Sequence, residues 1–208
     1  MSIHRIPLAV AGLAATVVLT ACGGSDSTSA AGSNAAGSTT SDDTASSSAS
    51  ASSHDDADVT FAQLMTAHHQ QAIEMAELAA DRAGSAEVRD LAIRIAAAQG
   101  PEIETMTGWL DDWGAPASMS GTSHGGHDMG DMPGSMSSAD MDRLMNLSGT
   151  EFDREFLTMM ISHHQGAVDM AETEQAEGAN PEAVALAGQI VADQTAQISQ
   201  MQTLLTQV

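Results

Sequence analysis

The sequence predicts an all-α fold, an antiparallel four-helix bundle made of two tandem helical hairpins. An internal repeat is the first reason: residues 61–110 align without gaps with residues 156–205, and each copy carries a His-His pair, at 68–69 and 163–164. The second reason is that apolar residues recur with the helical period in the aligned segments. The third is composition, since aromatic residues make up only 2% of the chain and the apolar residues are mainly Ala, Leu, Ile, Val and Met.

Cap and turn residues divide the repeats into helices. We predict four of them, at about 59–83, 86–112, 150–177 and 181–206. Ser85 and Asn180 occupy equivalent positions and both suit a helix N-cap, and Pro181 suits the first helical position. The sequence Ser-Gly-Thr-Glu at 148–151 has the form of a capping box. Neither hairpin can bury its apolar stripe alone, so we expect the two to pack together.

The N-terminus has the features of an export signal. Arg5 precedes an apolar run at 6–19 that is too short to span a bilayer, so residues 1–21 are interpreted as a signal peptide. The sequence Leu-Thr-Ala-Cys that follows the run resembles a bacterial lipobox, which implies lipid attachment to Cys22. Cys22 is the only cysteine, so no intramolecular disulfide can form. We therefore expect a lipoprotein anchored to the cell membrane, either on the outer face of a plasma membrane or in a periplasm.

Composition also divides the mature chain. Residues 22–58 are rich in Ser, Ala, Thr, Gly and Asp and have no large apolar residue, so they are predicted to form a disordered linker after the lipidated cysteine. The bundle is then expected over 59–208. A long loop containing Gly, Met and His, at about 114–147, separates the hairpins, and loops of that length are usually functional or disordered.

Charge limits the classes of partner. The net charge is -22, from 28 acidic residues against 6 basic ones. Such a chain is not expected to bind nucleic acid or to lie on an anionic lipid surface. An acidic surface does raise the local concentration of cations.

The repeated histidines lie on the apolar faces of their predicted helices. On a helical wheel His68 and His163 lie in the middle of the stripe, and His69 and His164 lie at its edge. A buried imidazole needs hydrogen-bond partners or a metal ion. Methionines flank both pairs, and the position three before the first histidine holds Met instead of the Glu of carboxylate-bridged di-iron bundles. The flanking methionines are Met65, Met75, Met159, Met160 and Met170.

These side chains favour copper as the bound metal ion. Thioether and imidazole suit Cu(I), imidazole also binds Cu(II), and zinc would gain little from methionine. We predict a copper site formed by these histidines and methionines, with Gln99, Gln194 and Glu102 in a second layer around it. In the alternative without metal, His68 and His163 are core residues hydrogen-bonded to Gln99 and Gln194, and the methionines fill gaps.

The connecting loop contains the same kinds of donor. Its candidate metal ligands are His124, His127, Met129, Met132 and Met136. They lie on Gly-rich chain with no helical stripe, so packing is not expected to explain them. The loop is interpreted as a flexible segment that collects metal ions.

The two motifs resemble a known bacterial family. The sequences HHQQAIEMAE (68–77) and HHQGAVDMAE (163–172) are each followed by a Q-x-x-(E/Q)-I-x-x-M segment, and together they resemble the family labelled domain of unknown function 305 over about 59–208. The resemblance implies a ferritin-like helical bundle located outside the cytoplasm. Some members bind copper and contribute to copper tolerance, which implies metal binding at the same His and Met positions. Leu64 stands where the second repeat has Met159 and leaves the first site poorer in sulfur.

We therefore expect an extracytoplasmic protein that sequesters or delivers copper and is not an enzyme, since no nucleophile–base pair or phosphate loop is evident. Its expected partners are metal ions, the membrane at Cys22 and a copper-handling protein, and the sequence does not fix the oligomeric state. Two other classes stay open. One is a metal-free helical interaction module at the cell envelope. The other is a ferritin-like enzyme that oxidises metal ions, which needs inward carboxylates, and Glu74, Glu102 and Asp169 are the candidates.

Overall fold

The fold is all-α, as predicted, in a computed structural model that describes residues 53–118 and 132–208. Both ranges belong to one compact unit, Ser46–Val208. No strand occurs within these two ranges. Their helices are α1 (Asp56–Arg82), α2 (Ala86–Trp113), α3 (Ser138–Met145), α4 (Gly149–Glu177) and α5 (Pro181–Leu205). None of these five helices combines the length and the apolar character that a membrane span requires.

Several predictions fall outside the described residues. These are the signal peptide, the lipidation of Cys22, most of the linker, and the loop candidates His124, His127 and Met129.

The four long helices lie where the repeat predicts them, and apart from the start of α1 each end agrees within one residue. Ser85 and Asn180 are N-caps as expected, because each side chain accepts hydrogen bonds from the N–H groups two and three residues further on. The capping box predicted at 148–151 is wrong. Ser148 precedes α4, but its side chain makes no capping hydrogen bond. Gly149, the next residue, has a left-handed φ of 64°. This backbone conformation differs from that of an ordinary first helical residue, and the side chain of Ser148 does not reach the N–H groups of the first turn.

The predicted linker extends too far, because its last residues begin α1. The side chain of Asp55 accepts hydrogen bonds from the N–H groups of Ala57 and Asp58, and Asp58 accepts one from the N–H of Asp55. This is a capping box built from two aspartates. Polar composition made the segment resemble a linker, although its aspartates form the first turn of the bundle.

The predicted loop at 114–147 contains the short helix α3. Ser137 and Asp140 form its capping box. Met136 and Met141 pack against the core, and Met132 is only 9% exposed. The expectation that packing does not explain the loop methionines is therefore wrong for Met132 and Met136.

Two antiparallel hairpins, α1–α2 and α4–α5, are joined mainly by the packing of α1 on α4. Their core has two apolar parts. The larger cluster includes Met75, Ile95, Phe152, Phe156 and Met160. The smaller cluster includes Phe61, Met65, Met106, Ala167 and Ile190. The start of α1 thus shares a cluster with the end of α4, so these two helices run antiparallel.

A buried polar layer separates the two clusters. Each long helix contributes to it between its residues of the larger and of the smaller cluster. The layer consists of His68, His69, Gln99, His163, His164 and Gln194, all at most 3% exposed.

Two buried aspartates tie the hairpins together. Asp58 on α1 accepts the N–H groups of residues 179 and 180, at 3.3 and 2.9 Å, in the turn before α5. Asp153 on α4 accepts those of residues 84 and 85, at 3.0 and 2.8 Å, in the turn before α2.

Candidate metal centre

The two histidine pairs meet in the middle of the bundle. His68 and His69 come from α1, His163 and His164 come from α4, and all four are fully buried. The ring centroids of His68 and His163 lie 3.6 Å apart with an angle of 33° between the rings. Those of His163 and His164 lie 6.4 Å apart. The two copies of the motif therefore form one cluster of imidazoles.

Equivalent hydrogen bonds hold the outer ring of each pair. The Nε2 atom of His69 lies 2.6 Å from a carboxylate oxygen of Glu102, and the Nε2 atom of His164 lies 2.6 Å from the amide oxygen of Gln197. Both oxygens are acceptors, so Nε2 donates in each bond and a neutral ring leaves its Nδ1 atom without a proton. The predicted placement of Glu102 beside the histidines agrees with this contact. Gln197 is its counterpart in the second repeat.

The inner rings differ from each other. The Nε2 atom of His68 lies 3.1 Å from the carbonyl oxygen of Pro133, which can only accept. Neither ring nitrogen of His163 has a hydrogen-bond partner in the described ranges. The same holds there for the Nδ1 atoms of His68, His69 and His164. Buried polar atoms are rarely left unpaired, so this cluster has unused capacity to bind a ligand.

The glutamines of the polar layer do not satisfy the histidines. Both side-chain polar atoms of Gln99 and the amide oxygen of Gln194 lack hydrogen-bond partners among residues 53–118 and 132–208. The bonds to His68 and His163 that the metal-free alternative predicted are not formed.

Burial favours the neutral form of three of these imidazoles, those of His68, His163 and His164. It lowers the pKa of His68 to about 3, and the adjacent ring of His69 adds to the effect. Burial likewise lowers the pKa of His164 to about 4 and that of His163 well below its ordinary value. Neutral imidazole is the form that binds metal ions, so these three rings need no deprotonation at pH 7.

The predicted methionines lie on both sides of the polar layer. Met75, Met159 and Met160 belong to the larger cluster. Met65 belongs to the smaller cluster, and Met170 is half-buried against it. All five side chains therefore pack in or against the two apolar clusters.

The four histidines lie close together, but in this structure they are not arranged as a set of metal ligands. Within the described ranges no group of three or more His, Cys, Asp and Glu side chains is arranged to hold a metal ion. Glu74 and Asp169, which the enzyme alternative required, are exposed on the outside of the bundle. The buried cluster holds imidazole nitrogens, and Glu102 is the carboxylate that contacts one of its histidines.

Sequence reasoning missed the segment that covers the cluster. Gln71 on α1 exchanges two hydrogen bonds with the backbone of Met136, and Pro133 contacts His68. A signal was present, because the repeat reads HHQQ at 68–71 but HHQG at 163–166.

Comparison with known proteins gives a family match. The sequence matches the family "Domain of unknown function (DUF305)" over residues 58–205. No curated protein matches it. The structure is similar to a putative secreted DUF305 protein from Streptomyces coelicolor, with 36% identity, a TM-score of 0.66 and coverage of 73% of this chain and 91% of that one. It is also similar to a DUF305 fragment from Deinococcus radiodurans, with 33% identity, a TM-score of 0.67 and coverage of 74% and 99%.

A third similar structure is that of CopM in its Cu(II)-bound form, with 36% identity, a TM-score of 0.61 and coverage of 72% of this chain and 96% of that one. CopM structures with Cu(I) and with silver are similar as well. The family match covers most of the chain, and two of the similar structures carry the family's name. The chain belongs to the DUF305 family.

Proposed function

We propose that this protein binds copper at the polar layer of its bundle and sequesters or delivers it outside the cytoplasm. The observation that carries the proposal is the cluster of four buried histidines, in which His163 has no hydrogen-bond partner in the described part of the chain. Desolvating an imidazole without a partner is costly, and a bound metal ion offsets that cost.

The ligands favour Cu(I). Thioether sulfur and neutral imidazole are soft enough for Cu(I), while imidazole also accepts Cu(II). The hydrogen bonds from Nε2 of His69 and His164 to Glu102 and Gln197 are of the kind that fixes the orientation of metal-binding histidines. Structures of CopM with Cu(I), Cu(II) and silver support the same class of ion. Ligand exchange, and no bond-making reaction, is the activity proposed.

The location is part of the proposal. The apolar run near the N-terminus and the lipobox-like sequence before Cys22 favour export and anchoring by lipid. One similar structure is that of a putative secreted protein. Anchoring would hold the bundle at the membrane surface, where it meets ions or a copper-handling protein that crosses the envelope.

The test is an anaerobic titration of the purified protein with Cu(I) in competition with a chromophoric chelator. The variant His163→Ala/His164→Ala removes half of the cluster, and His54→Ala removes an exposed histidine as the matched control. A third variant replaces His124, His127 and Met129 by Ser to measure the share of the loop. Helix content is followed by circular dichroism for each.

We expect the double variant to weaken Cu(I) binding by at least about tenfold, because two ligands are lost, while His54→Ala binds like the wild type. Binding that is lost only with the loop variant would exclude the bundle site. No binding in any form of the protein would make the metal-free interaction module the better account.

A further inference from the structure

One short segment closes the polar layer on the side where α1 meets α4. It comprises residues 132–136, which we call the strap. The N–H and the side-chain hydroxyl of Ser135 both donate to the carbonyl oxygen of Met132, at 3.1 and 2.9 Å, so the strap is a compact turn. Its carbonyl at Pro133 accepts from Nε2 of His68. The strap therefore contacts the candidate metal centre directly.

The strap is attached to α1 by an amide that acts as a clamp. The side chain of Gln71 donates to the carbonyl oxygen of Met136 at 2.9 Å and accepts from the N–H of Met136 at 2.7 Å. Gln71 is 8% exposed, so water competes little for these two bonds. A pair of backbone bonds of this kind holds one residue of the strap in a single register.

The strap is attached to α4 by close backbone contact. A Cβ atom on Gly166 would overlap the carbonyl group of Pro133, so only glycine leaves room for the strap there. Gly134 has a left-handed φ of 73°, and a Cβ atom on it would collide with the carbonyl oxygen of Ser162. Two glycines, one on each partner, thus allow the backbones to touch.

Gln71 and Gly166 are equivalent positions of the internal repeat, separated by the same spacing as His68 and His163. The repeat matches on both sides of this position and differs at it. The strap explains both residue types. Gln71 on α1 supplies the amide that binds Met136, and Gly166 on α4 leaves room for the backbone of Pro133. Packing within the helices requires neither of them.

We infer that Gln71 and Gly166 form a receptor for the strap, and that release of the strap controls the access of metal ions to the histidine cluster. With the strap in place, the Nε2 atom of His68 carries a proton and bonds to Pro133, so it is not a free ligand. Opening frees that nitrogen and uncovers the layer. The inference rests on the proposed function for the identity of the ion, but the movement itself can be measured without any metal.

The first experiment measures access to the histidines by labelling with diethyl pyrocarbonate, read by mass spectrometry, together with amide hydrogen exchange of the strap. Gln71→Ala removes the clamp, and Gln70→Ala, at the exposed neighbouring position, is its control. Gly166→Ala blocks the docking position, and Gly188→Ala, where an added Cβ meets nothing, is its control.

We expect both receptor variants to label His68 and His163 about tenfold faster than the wild type, with faster exchange at Met136, because two hydrogen bonds or the docking space are lost. The control variants keep wild-type rates. Unchanged labelling in both receptor variants would overturn the inference. So would a rise in labelling matched by faster exchange in the middle of α1 and α4, since that would show general loosening of the bundle.

The second experiment measures the rates of Ag(I) uptake and release by stopped flow in the same variants. Faster uptake and release of silver in Gln71→Ala and Gly166→Ala is the result expected of a gate. Labelling that responds in a protein that binds no silver or copper would reject the proposed function and leave the strap as a movable cover. Binding whose rates are the same in all variants would reject control by the strap and leave the metal site intact.

Discussion

Asp58 and Asp153 stand at the same position of the two repeats, and each carboxylate binds the turn of the hairpin to which it does not belong. The arrangement is reciprocal, so the start of α1 is fixed to the α4–α5 hairpin and the start of α4 is fixed to the α1–α2 hairpin. Apolar contacts alone would let α1 and α4 slide along each other. The two aspartates fix their relative position at both ends, and with it the meeting of the histidine pairs.

We expect Asp153→Ala to lower the free energy of unfolding by about 3 kcal/mol, because the N–H groups of Gly84 and Ser85 lose hydrogen bonds to a buried carboxylate. Urea denaturation monitored by circular dichroism gives the value. Asp90→Ala is the control, since Asp90 is exposed on α2. Equal stability of Asp153→Ala and Asp90→Ala would show that water replaces the carboxylate and that the crosslink contributes nothing.

Glu174 gives the fold a dependence on pH. Burial, the neighbouring carboxyl group of Asp58 and, to a smaller extent, Asp55 together raise the pKa of Glu174 to about 8. Between the ordinary value of 4.5 and about 8 the folded state therefore holds a proton that the unfolded state releases. Stability conferred by this group falls as pH rises through that window, by up to about 1.4 kcal/mol per pH unit.

The measurement is the difference in unfolding free energy between wild type and Glu174→Gln at pH 5, 6, 7, 8 and 9. The glutamine stays neutral at every pH. We therefore expect the unfolding free energy of the variant, relative to that of the wild type, to rise from pH 5 to pH 8 and to stay constant above pH 8. Asp58 acts in the opposite sense at low pH. Burial opposes its ionisation, but the N–H groups of Asn180 and Asp55 lower its pKa, so its contribution is lost only as pH falls below 3.8. A difference that does not vary with pH would show that Glu174 is ionised throughout.

The unpaired glutamine in the polar layer should cost stability in the metal-free protein. Gln99 is 2% exposed, and neither of its side-chain polar atoms has a partner in the described ranges. We expect Gln99→Leu to raise the free energy of unfolding without metal by about 1–3 kcal/mol, since it removes an unsatisfied amide. Thermal and urea denaturation of Gln99→Leu and of the exposed control Gln202→Leu would be compared.

The same substitution is expected to weaken Cu(I) binding if the amide supports the metal centre. A variant that gains stability and keeps its affinity would assign Gln99 to packing alone. A variant that loses stability would show that the amide has a partner, such as water, that the leucine cannot replace.

Glu102 and Gln197 are equivalent partners of His69 and His164, so substitutions that swap the two residue types test the effect of a carboxylate at this position. Glu102→Gln reproduces the bond that Gln197 makes to His164, so we expect little change in stability and about a tenfold loss of Cu(I) affinity. The reason is that a carboxylate bonded to a ligand histidine makes the imidazole a better donor and offsets the charge of the ion. Competition titration with a chelator measures the affinity.

The reverse change, Gln197→Glu, is the matched variant and should strengthen binding. Identical affinities for both variants and the wild type would show that neither outer histidine is a ligand of the ion.

The repeat made the main features predictable. Residues 95 positions apart that share helical period and cap residues must occupy similar positions in two similar hairpins, so the four long helices and the caps at Ser85 and Asn180 followed from the sequence. The same logic placed His68 and His163 in the core. Their contact needed the antiparallel packing of α1 on α4, which only the structure supplies.

Features that break the repeat or lie outside its apolar part were missed. The helix α3 has eight residues and only one buried side chain, Leu144, so no periodic pattern identifies it. Asp58 and Asp153 are repeated, but they look like solvated charges, and their partners are backbone groups that have no sequence signature. Glu174 has alanine at the equivalent position, Ala79, so the repeat gave no reason to single it out.

The strap contacts the equivalent positions 71 and 166 in two different ways, through hydrogen bonds to Gln71 and through the space left by Gly166. A dimer of identical single hairpins would present two glutamines or two glycines at positions 71 and 166, because one codon would specify both. Fusion of the hairpins into one polypeptide removes that restriction. Each half can then change alone, so two nearly equivalent histidine pairs can share one strap and have different hydrogen-bond partners, Glu102 and Gln197.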